Sequence, residues 1–140
     1  MYVVDASVWV CRFVPSDAHH SASREWLERV LRAGTPLMGP VILVAEVAGA
    51  VSRRTRPDRG HRAVHEIQRL REVRLLPLTL LLARSAAGVA ADLKVKGYDA
   101  VYLALAQRLG VPLITWDNDL RTRGSAVHSV QRPSESNTSR

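Results

Sequence analysis

Short apolar runs alternate along the chain with longer segments in which apolar residues recur every three or four positions. The runs predict strands at residues 2–4, 36–39, 73–78 and 111–115, with a further edge strand at 127–130. The periodic segments predict helices at residues 6–13, 17–33, 40–54, 60–72, 80–96, 99–109 and 118–123. Strands separated by helices are typical of an α/β protein with a mostly parallel sheet. We therefore predict an α/β/α sandwich around four or five short strands.

The length of 140 residues favours one domain, which we place at residues 1–130. Residues 131–140 read QRPSESNTSR and lack apolar side chains for packing, so we expect a disordered polar tail. The longest uncharged stretch, residues 33–45, has 13 residues and two prolines, whereas a membrane-spanning helix needs about 20 apolar residues. The start of the chain lacks a basic segment before its apolar run, so we predict no signal peptide. A single cysteine, Cys11, fits a reducing cytoplasm.

The charge of the chain is strongly positive, with 20 basic residues against 13 acidic ones. Eight arginines and only three acids fall between residues 53 and 74. Because the planar guanidinium group binds phosphate through two hydrogen bonds, this segment favours a polyanionic partner such as RNA. The alternative is a solvated helix face in an arginine-rich composition. The candidates for contact with RNA are Arg53, Arg54, Arg59 and Arg62.

Four acidic residues stand at unusual places. Asp5 and Asp117 each follow a predicted strand, Asp99 opens a predicted helix, and Glu46 interrupts an otherwise apolar helix. Ligands bind outside the carboxyl ends of parallel strands, so we expect these side chains to meet there. Clustered carboxylates repel one another unless a cation neutralises them. Oxygen ligands without a histidine or cysteine cluster favour one or two Mg²⁺ or Mn²⁺ ions.

The segments around these acids read VVDAS at residues 3–7, GYDAVYLALA at 97–106 and LITWDNDL at 113–120. Together with Glu46 in its helix, they resemble the PIN-domain family, and the chain is especially similar to the small bacterial VapC toxins. The resemblance extends over residues 1–130. It implies a PIN-like, Rossmann-like sandwich and a Mg²⁺- or Mn²⁺-dependent ribonuclease. It also implies a cognate antitoxin protein and a homodimer.

Carboxylates around a metal ion suit hydrolysis of RNA phosphodiester bonds. We expect Asp5 and Asp99 to be the central ligands, with Glu46 and Asp117 completing the site directly or through water. Either of the latter two is a candidate general base. The hydroxyl groups that we expect to hold the carboxylates by hydrogen bonds belong to Ser7 and Thr115. A fifth acid, Asp119, is either an additional ligand or a helix cap.

Other functions fit parts of the same pattern. A phosphatase of the haloacid dehalogenase type needs a second aspartate two residues after the first, where this chain has Ser7. A response-regulator receiver needs paired acids near the first strand and a lysine at a later strand end, and the sequence has neither. A catalytically silent RNA- or protein-binding module of the same fold and a housekeeping RNA-processing nuclease stay open.

The first two predicted helices carry more apolar residues than two short amphipathic helices usually bury. We expect an antitoxin segment to dock along this face, although core packing is the alternative interpretation. The residues concerned are Trp9, Val10, Phe13, Val14, Trp26, Leu27 and Val30.

Overall fold

The structure is a computed structural model that describes residues 1–135. Its strands are Tyr2–Val4 (β1), Leu37–Pro40 (β2), Val73–Leu76 (β3), Leu113–Ile114 (β4) and Val130–Gln131 (β5). Its helices are Ala6–Phe13 (α1), His20–Arg32 (α2), Leu43–Arg54 (α3), Pro57–Arg69 (α4), Leu80–Leu93 (α5), Gly97–Leu109 (α6) and Asn118–Gly124 (α7). None of the seven helices that residues 1–135 form is long and apolar enough to cross a lipid bilayer.

The five strands form one sheet in the order β3-β2-β1-β4-β5, and every neighbouring pair is parallel. The α/β class and the parallel sheet predicted from the hydrophobic pattern are therefore confirmed. The chain builds the sheet outward from β1 in one direction and then returns to add β4 on the other side. Such a reversal opens a crevice at the carboxyl end of the central strands.

The hydrophobic core includes the apolar residues of α1 and α2 that we expected to receive an antitoxin. Trp9, Val14, Trp26 and Leu27 are at most 2% exposed, and Val10 and Val30 are 7% exposed. For these six side chains the expectation was wrong, because the protein itself covers them, whereas Phe13, the seventh, is only partly buried. The spacing of three and four residues is the same for a face that enters a core and for a face that binds a partner helix.

Four predicted helix starts differ from those in the structure by two or three residues, and two of them, those of α3 and α6, concern helices that carry predicted site residues. Pro40 ends β2 opposite Leu76 instead of opening α3, and it is tolerated there because the end of a strand does not require its missing N–H. Helix α6 begins at Gly97, so Asp99 lies in its first turn and is not its N-cap. Both differences leave Glu46 and Asp99 near the N-terminal ends of their helices.

The described structure continues for a few residues past position 130, after which we predicted a polar tail. Gln131 belongs to β5 and pairs with Ile114, and Arg132 Nη2 donates a hydrogen bond to Asn118 Oδ1 at 2.7 Å. Pro133 is buried. Strand pairing uses backbone groups, so it needs no apolar side chain at these positions. The predicted tail at 136–140 lies outside the described residues.

Helices α3 and α4 pack at close range through Gly60. A Cβ atom at this position would overlap Ser52 Oγ and would lie 2.6 Å from the carbonyl oxygen of Ala48. Only glycine allows this approach, since any side chain would push the two helices apart. The contact fixes α4 against the helix that carries Glu46.

Candidate active site

A cleft of about 730 Å³ opens beside the carboxyl end of β1. Three of the four predicted acids line it: Asp5 from the β1–α1 junction, Glu46 from α3 and Asp99 from α6. Asp117, at the end of β4, lies next to this group without lining the cleft itself. Residues from four distant parts of the sequence therefore meet at one edge of the sheet.

Asp5 is held rigidly at the end of the central strand. Its backbone N–H donates to the carbonyl oxygen of Ile114 at 2.9 Å, and its side chain is almost completely buried. The Oδ2 atom accepts hydrogen bonds from Ser7 Oγ at 2.6 Å, from Thr115 Oγ1 at 2.9 Å and from the Ser7 N–H at 3.4 Å. All three bonds end on Oδ2, so Oδ1 has no hydrogen-bond partner among residues 1–135.

Ser7 and Thr115 also tie the loop after β4 to the loop after β1. Ser7 Oγ accepts from the Trp116 N–H at 3.1 Å, and Thr115 Oγ1 accepts from the Asp117 N–H at 3.0 Å. A hydroxyl group donates one hydrogen bond while it accepts another, and both residues use this capacity. The two loops that carry Asp5 and Asp117 are therefore fixed relative to each other.

The two acids of the second loop have different partners. Asp117 Oδ1 accepts from the Leu120 N–H at 2.8 Å and caps α7. Asp119 Oδ1 lies 2.7 Å from Arg123 Nε, one helical turn further along. The cap that we considered for Asp119 is thus formed by Asp117, and Asp119 makes an exposed ion pair.

Trp116, between Thr115 and Asp117, is a contributor that the sequence did not reveal. Its ring stacks on His19 with 4.0 Å between centroids, and its Nε1 donates to Ser23 Oγ at 2.7 Å. These contacts anchor the loop after β4 to α2. The order of residues along the chain offers no signal for a contact across more than 90 positions.

Tyr102 is a second residue that sequence reasoning missed. Its hydroxyl group is buried and donates to Glu46 Oε1 at 2.8 Å, which joins α6 to α3. A signal was present, because Tyr102 lies inside the apolar body of a helix and a buried tyrosine hydroxyl needs a partner. Glu46, which stood alone in an apolar segment, is the partner.

The carboxylates of the cleft perturb one another. Burial raises the pKa of Asp5, and the neighbouring charge of Asp117 adds to this effect. Burial also raises the pKa of Glu46 to about 7 against the opposing hydrogen bond from Tyr102, and the charges of Asp5 and Asp99 add smaller increases. The pKa of Asp99 rises to about 6 for the same reasons, against a small opposing effect of Lys96. The protein thus holds together negative charges that would separate in water.

This group fits a divalent cation that keeps part of its water. Among residues 1–135, no three carboxyl, imidazole or thiol groups gather into a ready-made metal cage. Mg²⁺ does not need one, since it usually binds through one or two carboxylates and retains several waters. The available donors at the cleft are carboxylate oxygens, including the unpaired Oδ1 of Asp5, and Mg²⁺ and Mn²⁺ prefer such donors.

The structure brings two of the four candidate RNA-binding arginines to the cleft. Arg53 and Arg54 line it, and Arg54 Nη2 also lies 2.7 Å from Asp17 Oδ2. Arg53 has no acidic partner in the described part of the chain. Arg59 and Arg62 on α4 line a separate cavity of about 150 Å³.

Three solved structures resemble this fold over almost its whole length. VapC20 from Mycobacterium tuberculosis, described as a sarcin-ricin loop cleaving toxin, is 21% identical with a TM-score of 0.72, over 89% of this chain and 95% of that chain. FitAcB from Neisseria gonorrhoeae is 18% identical with a TM-score of 0.72, over 96% of this chain and 99% of the FitAcB chain. A chain of a toxin-antitoxin complex from Klebsiella pneumoniae is 18% identical with a TM-score of 0.64, over 95% of this chain and 98% of that chain.

Sequence comparison with curated proteins finds no match. The family model of the PIN domain matches residues 2–124, which include strands β1 to β4 and all four predicted acids of the site. The family and its fold, with a parallel central sheet, confirm the resemblance carried by the motifs around Asp5, Asp99 and Asp117. This chain belongs to the PIN domain family.

Proposed function

We propose that this chain is a ribonuclease that depends on a divalent metal ion and acts as the toxin of a toxin–antitoxin pair. One observation carries the enzymatic part of the proposal. Asp5, Glu46, Asp99 and Asp117 come from four separate segments, and burial and mutual repulsion raise the pKa of three of them. A protein keeps such an unfavourable group of charges where a cation and its substrate compensate for them.

Asp5 and Asp99 would hold the cation, and Glu46 and Asp117 would complete its surroundings directly or through water. When bound, Mg²⁺ or Mn²⁺ would lower the pKa of a water molecule and neutralise charge on the phosphate. The hydrogen bonds from Ser7 and Thr115 fix Oδ2 of Asp5, so the carboxylate does not have to reorganise during the reaction.

Glu46 is better placed than Asp117 to act as general base. It lines the cleft, and the only hydrogen bond to its side chain in the described structure, from Tyr102, leaves Oε2 free to orient water. Asp117 uses Oδ1 to cap α7 and does not line the cleft. We therefore assign proton removal to Glu46 and a supporting electrostatic role to Asp117.

The toxin part of the proposal rests on the similar structures. VapC20 is described as a sarcin-ricin loop cleaving toxin, and the Klebsiella structure is a toxin-antitoxin complex. We therefore propose a cognate antitoxin as partner and the cytoplasm as the site of action. A short antitoxin reading frame beside the gene would distinguish this role from that of a housekeeping RNA-processing nuclease.

We also propose that the chain forms a homodimer. Leu80 and Leu81 of α5 are 67% and 60% exposed, and Leu78 just before the helix is 42% exposed. A second copy covering this face would remove the three leucines from water. Sedimentation measured at increasing protein concentration tests this, and a chain that stays monomeric would contradict it.

The direct test of the proposed activity is cleavage of single-stranded RNA by the purified chain. We expect cleavage with Mg²⁺ or Mn²⁺, loss of cleavage with EDTA and its return when the metal is added again, because the carboxylates need the cation. Gel analysis of a labelled oligoribonucleotide measures all three. RNA that binds but is never cut would instead support the catalytically silent module.

The arginines at the cleft should bind the phosphate backbone without sequence preference. We expect Arg53→Gln to weaken RNA binding. It should also make the plot of log binding constant against log salt concentration less steep by about one, because binding then releases one counterion fewer. Arg59→Gln is the matched control, since it removes the same charge away from the cleft. Anisotropy titrations at several salt concentrations measure the slopes. An unchanged slope for Arg53→Gln would make this segment a solvated helix face.

A further inference from the structure

Tyr98 is exposed at the mouth of the cleft, next to Asp99. The chain has seven phenylalanine, tyrosine and tryptophan residues, all within residues 1–135, and Tyr98 is the exposed one among them, at 64%. It lines the cleft, and its hydroxyl group makes no hydrogen bond within the described part of the chain. A large ring left in water beside a charged site has no stabilising role in the fold that would explain it.

The surroundings of Tyr98 suit a flat and partly apolar group. The same cleft is lined by Ile42, which precedes α3, and by Ala45 and Ala50 of α3, all of them small or apolar. Arg53 adds positive charge without an acidic partner among residues 1–135. The cleft therefore combines an aromatic ring, an apolar wall and a cation with the carboxylates.

Tyr98 and Asp99 are consecutive residues in the first turn of α6. Their Cα atoms are thus only about 3.8 Å apart, and both side chains reach the same cleft. A phosphate handled near Asp99 would place the base of an adjoining nucleotide within reach of the ring. Aromatic side chains stack on bases in proteins that bind single-stranded RNA.

We propose that Tyr98 stacks on the base of a nucleotide adjoining the scissile phosphate, so that the cleft requires an unpaired base at this position. This inference rests on the proposed ribonuclease function and adds a determinant of substrate structure to it. The ring provides binding energy for any base, whereas the choice of sequence needs other contacts. A base held in a duplex cannot reach the ring, and the chain therefore discriminates against paired substrates.

The test compares Tyr98→Ala, Tyr98→Leu and Tyr98→Phe with the wild-type chain on a single-stranded oligoribonucleotide that the wild type cleaves. Tyr98→Ala should raise KM about tenfold and leave kcat within about threefold. The reason is that stacking on the base stabilises the bound substrate and the transition state equally. Tyr98→Leu should fail to restore KM, while Tyr98→Phe should restore it, because the ring and not the hydroxyl group stacks. Melting curves verify that the exposed substitutions leave the fold intact.

An abasic nucleotide moved along the same RNA gives a second, independent measurement. At the position that contacts Tyr98, removal of the base should raise KM of the wild type about tenfold and have no further effect on Tyr98→Ala. Such non-additivity identifies a direct contact between the base and the ring.

Three results would overturn the inference. The first is an unchanged KM for Tyr98→Ala, and the second is a KM for Tyr98→Leu equal to that of the wild type. The third is a KM for Tyr98→Ala on the abasic RNA that equals the product of the two separate increases. In the first case, the exposed ring would belong to a protein contact. A wild-type chain that cleaves no RNA at all would instead contradict the proposed function, so the two failures are distinguishable.

Discussion

Asp5→Asn and Asp99→Asn should each lower the rate of RNA cleavage at least about a hundredfold at saturating Mg²⁺. Loss of a residue that merely supports a metal ligand typically lowers activity or affinity 10- to 100-fold, and loss of a ligand should exceed that. The fold should persist, because asparagine keeps an oxygen that accepts the hydrogen bonds from Ser7 and Thr115 to residue 5. The metal-free variants should even gain stability, since one of several repelling charges is removed.

Asp92→Asn is the matched control, because Asp92 is an exposed residue of α5 and the substitution removes the same charge. Asp119→Asn should also retain activity if Asp119 serves its ion pair with Arg123 and is not a metal ligand. Single-turnover cleavage rates and denaturant unfolding measure the two effects separately. Activity within about tenfold of the wild type in both Asp5→Asn and Asp99→Asn would refute the assignment of the site.

The metal-free protein should become less stable as the pH rises from 5 to 7.5. The pKa of Glu46 is raised to about 7 and that of Asp99 to about 6, so the folded state holds protons that the unfolded state releases at lower pH. The stabilisation from these protons is complete below pH 4, near the pKa values of the two groups in the unfolded protein. It is lost as the pH rises past their pKa values in the folded protein. We expect a loss on the order of 1 kcal/mol, since water screens the half-buried carboxyl groups.

Denaturant unfolding in EDTA at pH 5 and pH 7.5 measures this loss. Glu46→Gln should reduce the pH dependence, because glutamine has no proton to release, and Mg²⁺ should restore stability at pH 7.5 by binding the folded state. Stability that stays constant or increases over this range in EDTA would show that the pKa values of these carboxyl groups are not raised in the folded protein.

The sequence predicted the positions of the acids better than their partners. Asp5 and Asp117 follow strands, and the parallel topology dictates that strand ends meet at one edge. Glu46 was conspicuous because a charge in an apolar helix needs compensation. The hydrogen bond from Tyr102 was not predicted, since it depends on how α6 lies against α3, and periodicity within one helix does not contain that information.

The fate of the apolar residues was harder to predict. Trp9 and Trp26 enter the core, whereas Leu80 and Leu81 remain exposed, and both pairs lie in apolar helical segments. Propensity and spacing describe one element at a time, and burial is decided by the neighbours that the fold supplies. The same reasoning explains the end of the domain, because backbone pairing extends β5 to Gln131 without an apolar side chain.

The place of β1 at the centre of the sheet has a consequence for the synthesis of the protein. Val3 and Val4 pair with Leu113 and Ile114, so the first strand to leave the ribosome waits for about 110 further residues. At 5 to 20 residues per second, this takes roughly 5 to 20 seconds, during which an apolar strand has only part of its sheet. A nascent chain that has passed residue 46 and has not reached residue 99 contains Asp5 and Glu46 without Asp99 and Asp117. The proposed nuclease site is therefore incomplete in any chain that ends before residue 117, and we expect such a chain to leave RNA intact.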